Sequence, residues 1–176
     1  MKKASRFMPK NVCQPTGALG WVVIGVISSF FAWLFWSVPL LLIVLPFIAL
    51  FFYKEHRKRK RYFKDLLVSR EGYSICEFSR HFDCKQVDTW VIRAVYEQLQ
   101  NYLKSYEIEL PVLPNDDVFS DLKIDDEDFE YDILEEIAFR TGRSLDDAEV
   151  NPYFGNANIV ENLVYFFNKQ PVADAI

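Results

Sequence analysis

From Ala18 to Tyr53 the chain carries no charged side chain. Drawn as one straight helix, that run would be about 54 Å long, against a hydrocarbon core of roughly 30 Å. An apolar stretch of this length has to fold back on itself. The break falls most naturally at Ser37-Val38-Pro39. A residue before proline is pushed out of the helical region, and proline suits the first turn of a new helix. The expectation is a transmembrane helical hairpin, Ala18–Trp36 and Pro39–Tyr53, with Pro46 kinking the second arm. Its polar side chains, Ser28, Ser29 and Ser37, are of the kind that bond to their own backbone, so no intramembrane chemistry is expected.

The flanks of the run are basic. Lys2, Lys3, Arg6 and Lys10 precede it, and Lys54, Arg57, Lys58, Arg59, Lys60, Arg61 and Lys64 follow. Positive charge on both sides places both ends in the cytoplasm, which predicts a multi-pass inner-membrane protein. Trp33 and Trp36 then fall at the outer interface, with Trp21 and Tyr53 at the inner one. A second apolar run and the lack of a small-x-small site argue against a cleaved signal peptide. The cluster K-E-H-R-K-R-K-R has the composition of a nucleic-acid patch. Lying directly against an apolar run, it reads better as a topology anchor, with Arg57, Lys58, Arg59, Lys60 and Arg61 at the surface of the lipid bilayer.

Charge also divides the chain. The net charge of -5 hides eleven Lys or Arg against one acid up to Lys64, and sixteen acids against three basic residues from Glu107 to Glu149. Two halves with different partners follow from such a split. The organisation expected is a basic N-terminus (1–17), the hairpin (18–53), a basic juxtamembrane linker with a short helix (54–84), a small helical domain (85–170) and a tail (171–176). Three cysteines, Cys13, Cys76 and Cys84, make no disulfide framework and fit a reducing cytosol. Cys76, His81 and Cys84 supply at most three ligands where structural zinc takes four, so no metal is expected.

Within the second half, Ser74-Ile-Cys-Glu77 reads as a capping box opening a short helix to about His81. Asp83-Cys-Lys-Gln86 reads as another, opening a longer helix with Val87, Val91, Ala94, Val95, Leu99, Tyr102 and Leu103 on its apolar stripe. This pair has the outline of a helix-turn-helix. Glu97 and scattered basic residues leave it no DNA-reading face, and no nucleic-acid partner is expected. Pro111 and Pro114 flank a loop, with Val118, Phe119 and Leu122 as apolar anchors. A following helix buries Phe129, Ile133, Leu134, Ile137 and Ala138, crowds acids at its N-terminus where the helix dipole favours them, and stops at Gly142. Asn151-Pro152 marks a turn. Asn158 is the expected polar cap of a last helix, with Ile159, Leu163, Phe166 and Phe167 inward, ended by Pro171. No strand pattern is present, so the fold class is all-α: a transmembrane hairpin followed by a small helical bundle.

A long helix, a long loop, an acidic helix, a short turn region and a final helix resemble the acyl carrier protein fold. The stretch V-F-S-D-L-K-I-D-D-E-D is similar to the carriers' F-x-x-D-L-G-x-D-S-L-D, with Asp121, Leu122 and Asp125 on matching positions and Phe119 one residue from the carriers' phenylalanine. Downstream, I-L-E-E-I-A-F-R-T-G-R-S-L-D-D-A-E resembles the carriers' L-x-x-x-x-E-E-x-F-x-x-x-I-x-D-x-E. The resemblance covers roughly Val87 to Gln170 and points to enterobacterial, membrane-anchored, acyl-carrier-like proteins of unknown function. It departs at Asp126, which stands where carriers have the serine that takes phosphopantetheine. A carboxylate cannot form that phosphodiester, so no cofactor is implied. Lys123 replaces the carriers' glycine, and Ser120, the nearest hydroxyl, lies before the helix.

These readings converge on a membrane-anchored, non-catalytic, acyl-carrier-like interaction module. Its acidic helix, through Asp125, Asp126, Glu127, Glu130, Asp132 and Glu136, would dock a basic protein partner such as an enzyme of lipid or envelope metabolism. A carrier with an unconventional attachment site is the first alternative, and a structural subunit of a membrane complex the second. No nucleophile elbow, phosphate loop or paired metal motif suggests an enzyme.

Overall fold

The computed structural model describes residues 4–8, 17–38 and 41–173, with the side chains of 35 and 41–43 outside the description. The readings made at Lys2, Lys3, Lys10, Cys13 and Pro39, and at the end of the tail, lie outside the described residues. Every extended element is helical, and the only pairings of strand type among the described residues are isolated bridges, Asp117 with Ile159 and Arg143 with Val172. The chain divides into two compact units, Val12–Lys60 and a second one made of Met1–Asn11 with Arg61–Ile176.

The first unit holds α1 (Ala18–Ser37) and most of α2 (Leu41–Ser69). α1 starts and stops where the apolar pattern predicts, and its side chains are almost all exposed. Ser29 donates its hydroxyl to the Gly25 carbonyl at 2.8 Å, one turn back, as an intrahelical serine should. Among the described residues no helix is long and apolar enough to cross a membrane.

The second apolar arm does not end at Tyr53. α2 passes through Pro46 and runs on through the basic cluster to Ser69. The reason is local: from Lys54 to Ser69 there is no glycine or proline, and Lys, Arg, Glu and Leu are good helix formers. Loss of hydrophobicity marks a change of surroundings, not a helix end. Around the cluster, Arg59 pairs with Glu55 at 3.9 Å and the Arg57 guanidinium lies 5.5 Å from the Tyr53 ring.

In the second unit the last turns of α2 turn inward. Phe63 is buried, packing on Tyr106 at 5.0 Å between centroids. α3 (Ile75–Arg80) begins at Ser74, whose hydroxyl accepts from the Cys76 amide and donates to Glu77. α4 (Thr89–Leu103) is central and packs on α3, on α6 (Glu135–Thr141) and on α7 (Val160–Lys169). It is therefore buried on more than one side: beside the expected stripe, Ile92, Tyr96 and Gln98 are also buried.

Its start departs from expectation. The cap is Asp88, which accepts from the Trp90 amide at 2.9 Å, while Asp83 only closes a turn by accepting from Lys85. Asn168 of α7 decides the matter. It accepts the Asp88 N–H and donates to the Gln86 carbonyl, holding residues 86–88 non-helical. Val87 is buried all the same, from the turn rather than the helix.

From Glu107 to Asp125 the chain is a long loop anchored by Ile108, Leu110, Val112, Val118, Leu122 and Ile124. Its polar anchor is a buried ion pair between Arg70, just after α2, and Asp116. α7 (Val160–Lys169) follows two short 3-10 turns, Ala148–Val150 and Phe154–Asn156. Asn158 does not cap it. The first α7 amides instead donate to loop carbonyls, Val160 to Asp116 and Glu161 to Pro114, and Asn158 donates to the Asp117 carboxylate at 2.6 Å. Leu163, Phe166 and Phe167 point inward as expected, with Ile159 half-buried. Met8, at the other end of the chain, is also buried in this core.

Candidate functional site: the acidic helix and its groove

The acidic helix is built in three pieces: α5 (Asp126–Asp128), a π-helical segment (Phe129–Leu134) and α6 (Glu135–Thr141). Its buried residues Phe129, Ile133, Ile137 and Thr141 are spaced by four. In a regular α-helix each such step drifts about 40° around the axis. The wider π turn removes part of that drift, so the stripe stays on the core. Gly142, at φ 63°, then ends the helix in a Schellman turn, with the Gly142 amide on Phe139 and Arg143 on Ala138.

The outer face is acidic and wet. Asp125, Asp126, Glu127, Glu130, Asp132 and Glu135 are exposed, and Asp128 and Glu136 half-buried. Among the described residues Asp126, Glu127, Glu130, Asp132 and Glu135 form no ion pair. Two aromatic side chains share this face, Tyr131 at 64% and Phe139 at 83% exposure. Charge periodicity located the acids; the exposed aromatics gave no separate signal, because Phe139 beside Ala138 reads as core.

Asp128 is turned toward α4, where it accepts the Tyr102 hydroxyl at 2.5 Å. Burial and this carboxylate push the Tyr102 hydroxyl well above its ordinary range, so it stays a donor. Gln98 donates to the Asp132 carbonyl at 3.3 Å, meeting the π segment. Between the two walls runs a groove of about 440 Å³, lined on one side by Gln98, Asn101 and Tyr102 and on the other by Tyr131, Asp132, Glu135, Glu136 and Phe139. Burial raises the Glu136 carboxyl above its ordinary range, with Arg140 partly offsetting. Its Oε1 is buried with no hydrogen-bond partner among the described residues.

The positions compared with carriers fall together at the helix entrance. Phe119 packs edge-on against Phe129 at 5.4 Å, Leu122 is fully buried, and Asp121 accepts from the Asp117 amide at 2.9 Å. Asp126 opens the helix with an exposed carboxylate. Lys123 has φ 53°, the left-handed conformation that favours glycine. Ser120 sits in the preceding turn, its amide bonded to Asp117 at 2.7 Å. Of the six predicted acids the groove takes in Asp132 and Glu136, beside Gln98, Tyr102, Tyr131 and Phe139, while Asp125, Asp126, Glu127 and Glu130 lie outside it. The basic group Arg57–Arg61 lies on α2. No protein-family model, curated protein or solved structure matches this chain.

Proposed function

We propose that this protein is a membrane-anchored, non-catalytic interaction module of acyl-carrier-like fold, docking a basic protein partner on its acidic helix. The observation that carries the reading is the exposed acid beyond the first turn. Acids at a helix N-terminus are explained by the dipole, whose influence ends within that turn. Glu130, Asp132 and Glu135 lie further along, and the like-charge pairs Asp126–Glu130 and Asp128–Asp132 at i,i+4 spacing cost stability. A surface that repels itself is neutralised when a cationic partner covers it. The carrier-like fold is supported by the helix order and by the left-handed backbone at Lys123, where carriers have glycine.

The inner-membrane reading draws on two features. α1 has 20 charge-free residues, including Phe35, and these amount to about 30 Å of helix. Met8 and Phe63, on either side of the charge-free run, are buried in the same compact unit. A run whose two flanks belong to one unit and carry basic residues agrees with a pair of crossings. The test of docking is crosslinking in native membranes, followed by capture with wild type and with an Asp125→Lys, Asp126→Lys, Glu130→Lys variant. Loss of the captured partner is expected, and undiminished capture by the variant overturns the proposal.

A further inference from the structure

Because α2 continues past Tyr53 as one helix, each basic side chain of the cluster leaves it in a fixed direction. Phe47, then Leu50 and Phe51, then Lys54, then Arg57 and Lys58 recur at three- and four-residue spacing, so they share one side of the helix over about 16 Å. All of them are exposed. Lys54, Arg57 and Lys58 form no ion pair among the described residues, and the Arg57 guanidinium lies against the Tyr53 ring, at the border between apolar and charged parts. Their neighbours in the cluster are placed differently. Arg59 is half-buried and pairs with Glu55, and Lys60 is half-buried as well.

One face of α2 thus carries an exposed apolar half and, directly after it, an exposed cationic half. Its complement is an amphiphile with hydrocarbon at one end and an anionic phosphate at the other. The arginine fork bonds two phosphate oxygens at once, and lysine adds point charge. A nucleic-acid backbone satisfies the cations but leaves Phe47, Leu50 and Phe51 in water. The chain as a whole has a net charge of -5, so attraction to an anionic surface has to come from a local face. We infer that this side of α2 binds an anionic phospholipid, its phosphate held by Lys54, Arg57 and Lys58 and its acyl chains lying along Phe47, Leu50 and Phe51. The inference rests on the membrane-anchored reading above and adds to it a lipid class and one helix face, from which Arg59 and Lys60 are left out.

The full chain is reconstituted in liposomes of phosphatidylcholine and phosphatidylglycerol with the same acyl chains and extracted in mild detergent, and the lipids that stay bound are counted by native mass spectrometry. Phosphatidylglycerol is expected to be retained in preference from an equal mixture. Arg57→Gln with Lys58→Gln should lower that preference about tenfold or more, since each cation at an anionic lipid surface contributes a factor of about five. Arg59→Gln with Lys60→Gln makes the same change in net charge and should keep the preference. Equal retention of the two lipids by wild type, or equal loss in the two variants, overturns the inference. Soluble glycerol phosphate in excess should leave the retained lipid in place; displacement assigns the face to free phosphate and overturns it as well. Uptake of a labelled duplex oligonucleotide through Arg57 and Lys58, with no lipid preference, assigns the face to nucleic acid instead. Alkaline carbonate separates the two readings. A chain that it strips from the liposomes overturns membrane anchoring and the inference together, whereas a chain that stays inserted without lipid preference overturns the inference alone. Equal helicity by circular dichroism establishes that each variant is folded.

Discussion

The two guanidinium nitrogens of Arg70 grip the two carboxylate oxygens of Asp116 at 2.8 and 2.5 Å, with both side chains almost wholly out of water. Every remaining need is met locally. Arg70 also donates to the Pro111 carbonyl, and Asp116 accepts from the Leu113 amide. The residue after α2 is thereby tied to the loop that presents backbone carbonyls to the start of α7.

Removing one partner leaves the other charge buried and alone. Arg70→Ala or Asp116→Ala is expected to cost about 3–5 kcal/mol, measured by urea unfolding of the full chain in detergent. An apolar pair, Arg70→Met with Asp116→Leu, should recover most of that loss.

Asp117 gives the fold an acid-sensitive contact. Burial pulls its carboxyl up, but hydrogen bonds from the Ser120 amide, the Asn158 side chain and the Phe119 amide outweigh it and hold the group below its ordinary 3.8. A carboxyl depressed in the folded state stabilises that state above the unfolded value, and the contribution is lost as pH falls through the folded value. Wild type should therefore lose part of its stability below pH 3.8, and Asp117→Asn should show a flatter acid limb in urea midpoints taken against pH.

The start of α4 can be read by substitution. Asp88→Ala removes the side chain that accepts from Trp90 and should cost about 1 kcal/mol or more. Asp83→Ala removes only an exposed turn contact and should stay within about 0.5 kcal/mol. The reverse order in thermal or urea unfolding would return the cap to Asp83.

Gly142 has open space around the position of a Cβ, so only its backbone resists substitution. Gly142→Ala should cost about 1–2 kcal/mol, the penalty of a left-handed conformation for an L side chain. Calorimetry of the variant checks it.

What could be read from the sequence was local and periodic. The stripes through Leu99, Ile133 and Leu163 are spaced to face one way, and all three are fully buried. Gly142 and Ser74 punctuate helices by chemistry confined to one turn. What could not be read depends on partners far along the chain. Asp83 and Asp88 are equivalent as local signals, and Asn168, eighty residues beyond Asp88, chooses between them. Arg70 looks like one more member of a basic series until Asp116 is seen against it. Asn158 satisfies the pattern of a cap but is drawn to Asp117. In the acidic helix the charges were legible, while the π turn and the groove follow from packing against α4.

Burial of Met8 has a consequence for how the protein is made. Its Sδ meets Arg140 at 3.2 Å, across a separation of 132 residues. At 5–20 residues per second the ribosome needs roughly 7 to 26 s to bridge that distance. Through that interval the N-terminal segment has no completed core to join, and the apolar run between them has already left the tunnel. The core therefore closes on Met8 only after the whole apolar run between Met8 and Arg140 has been synthesised.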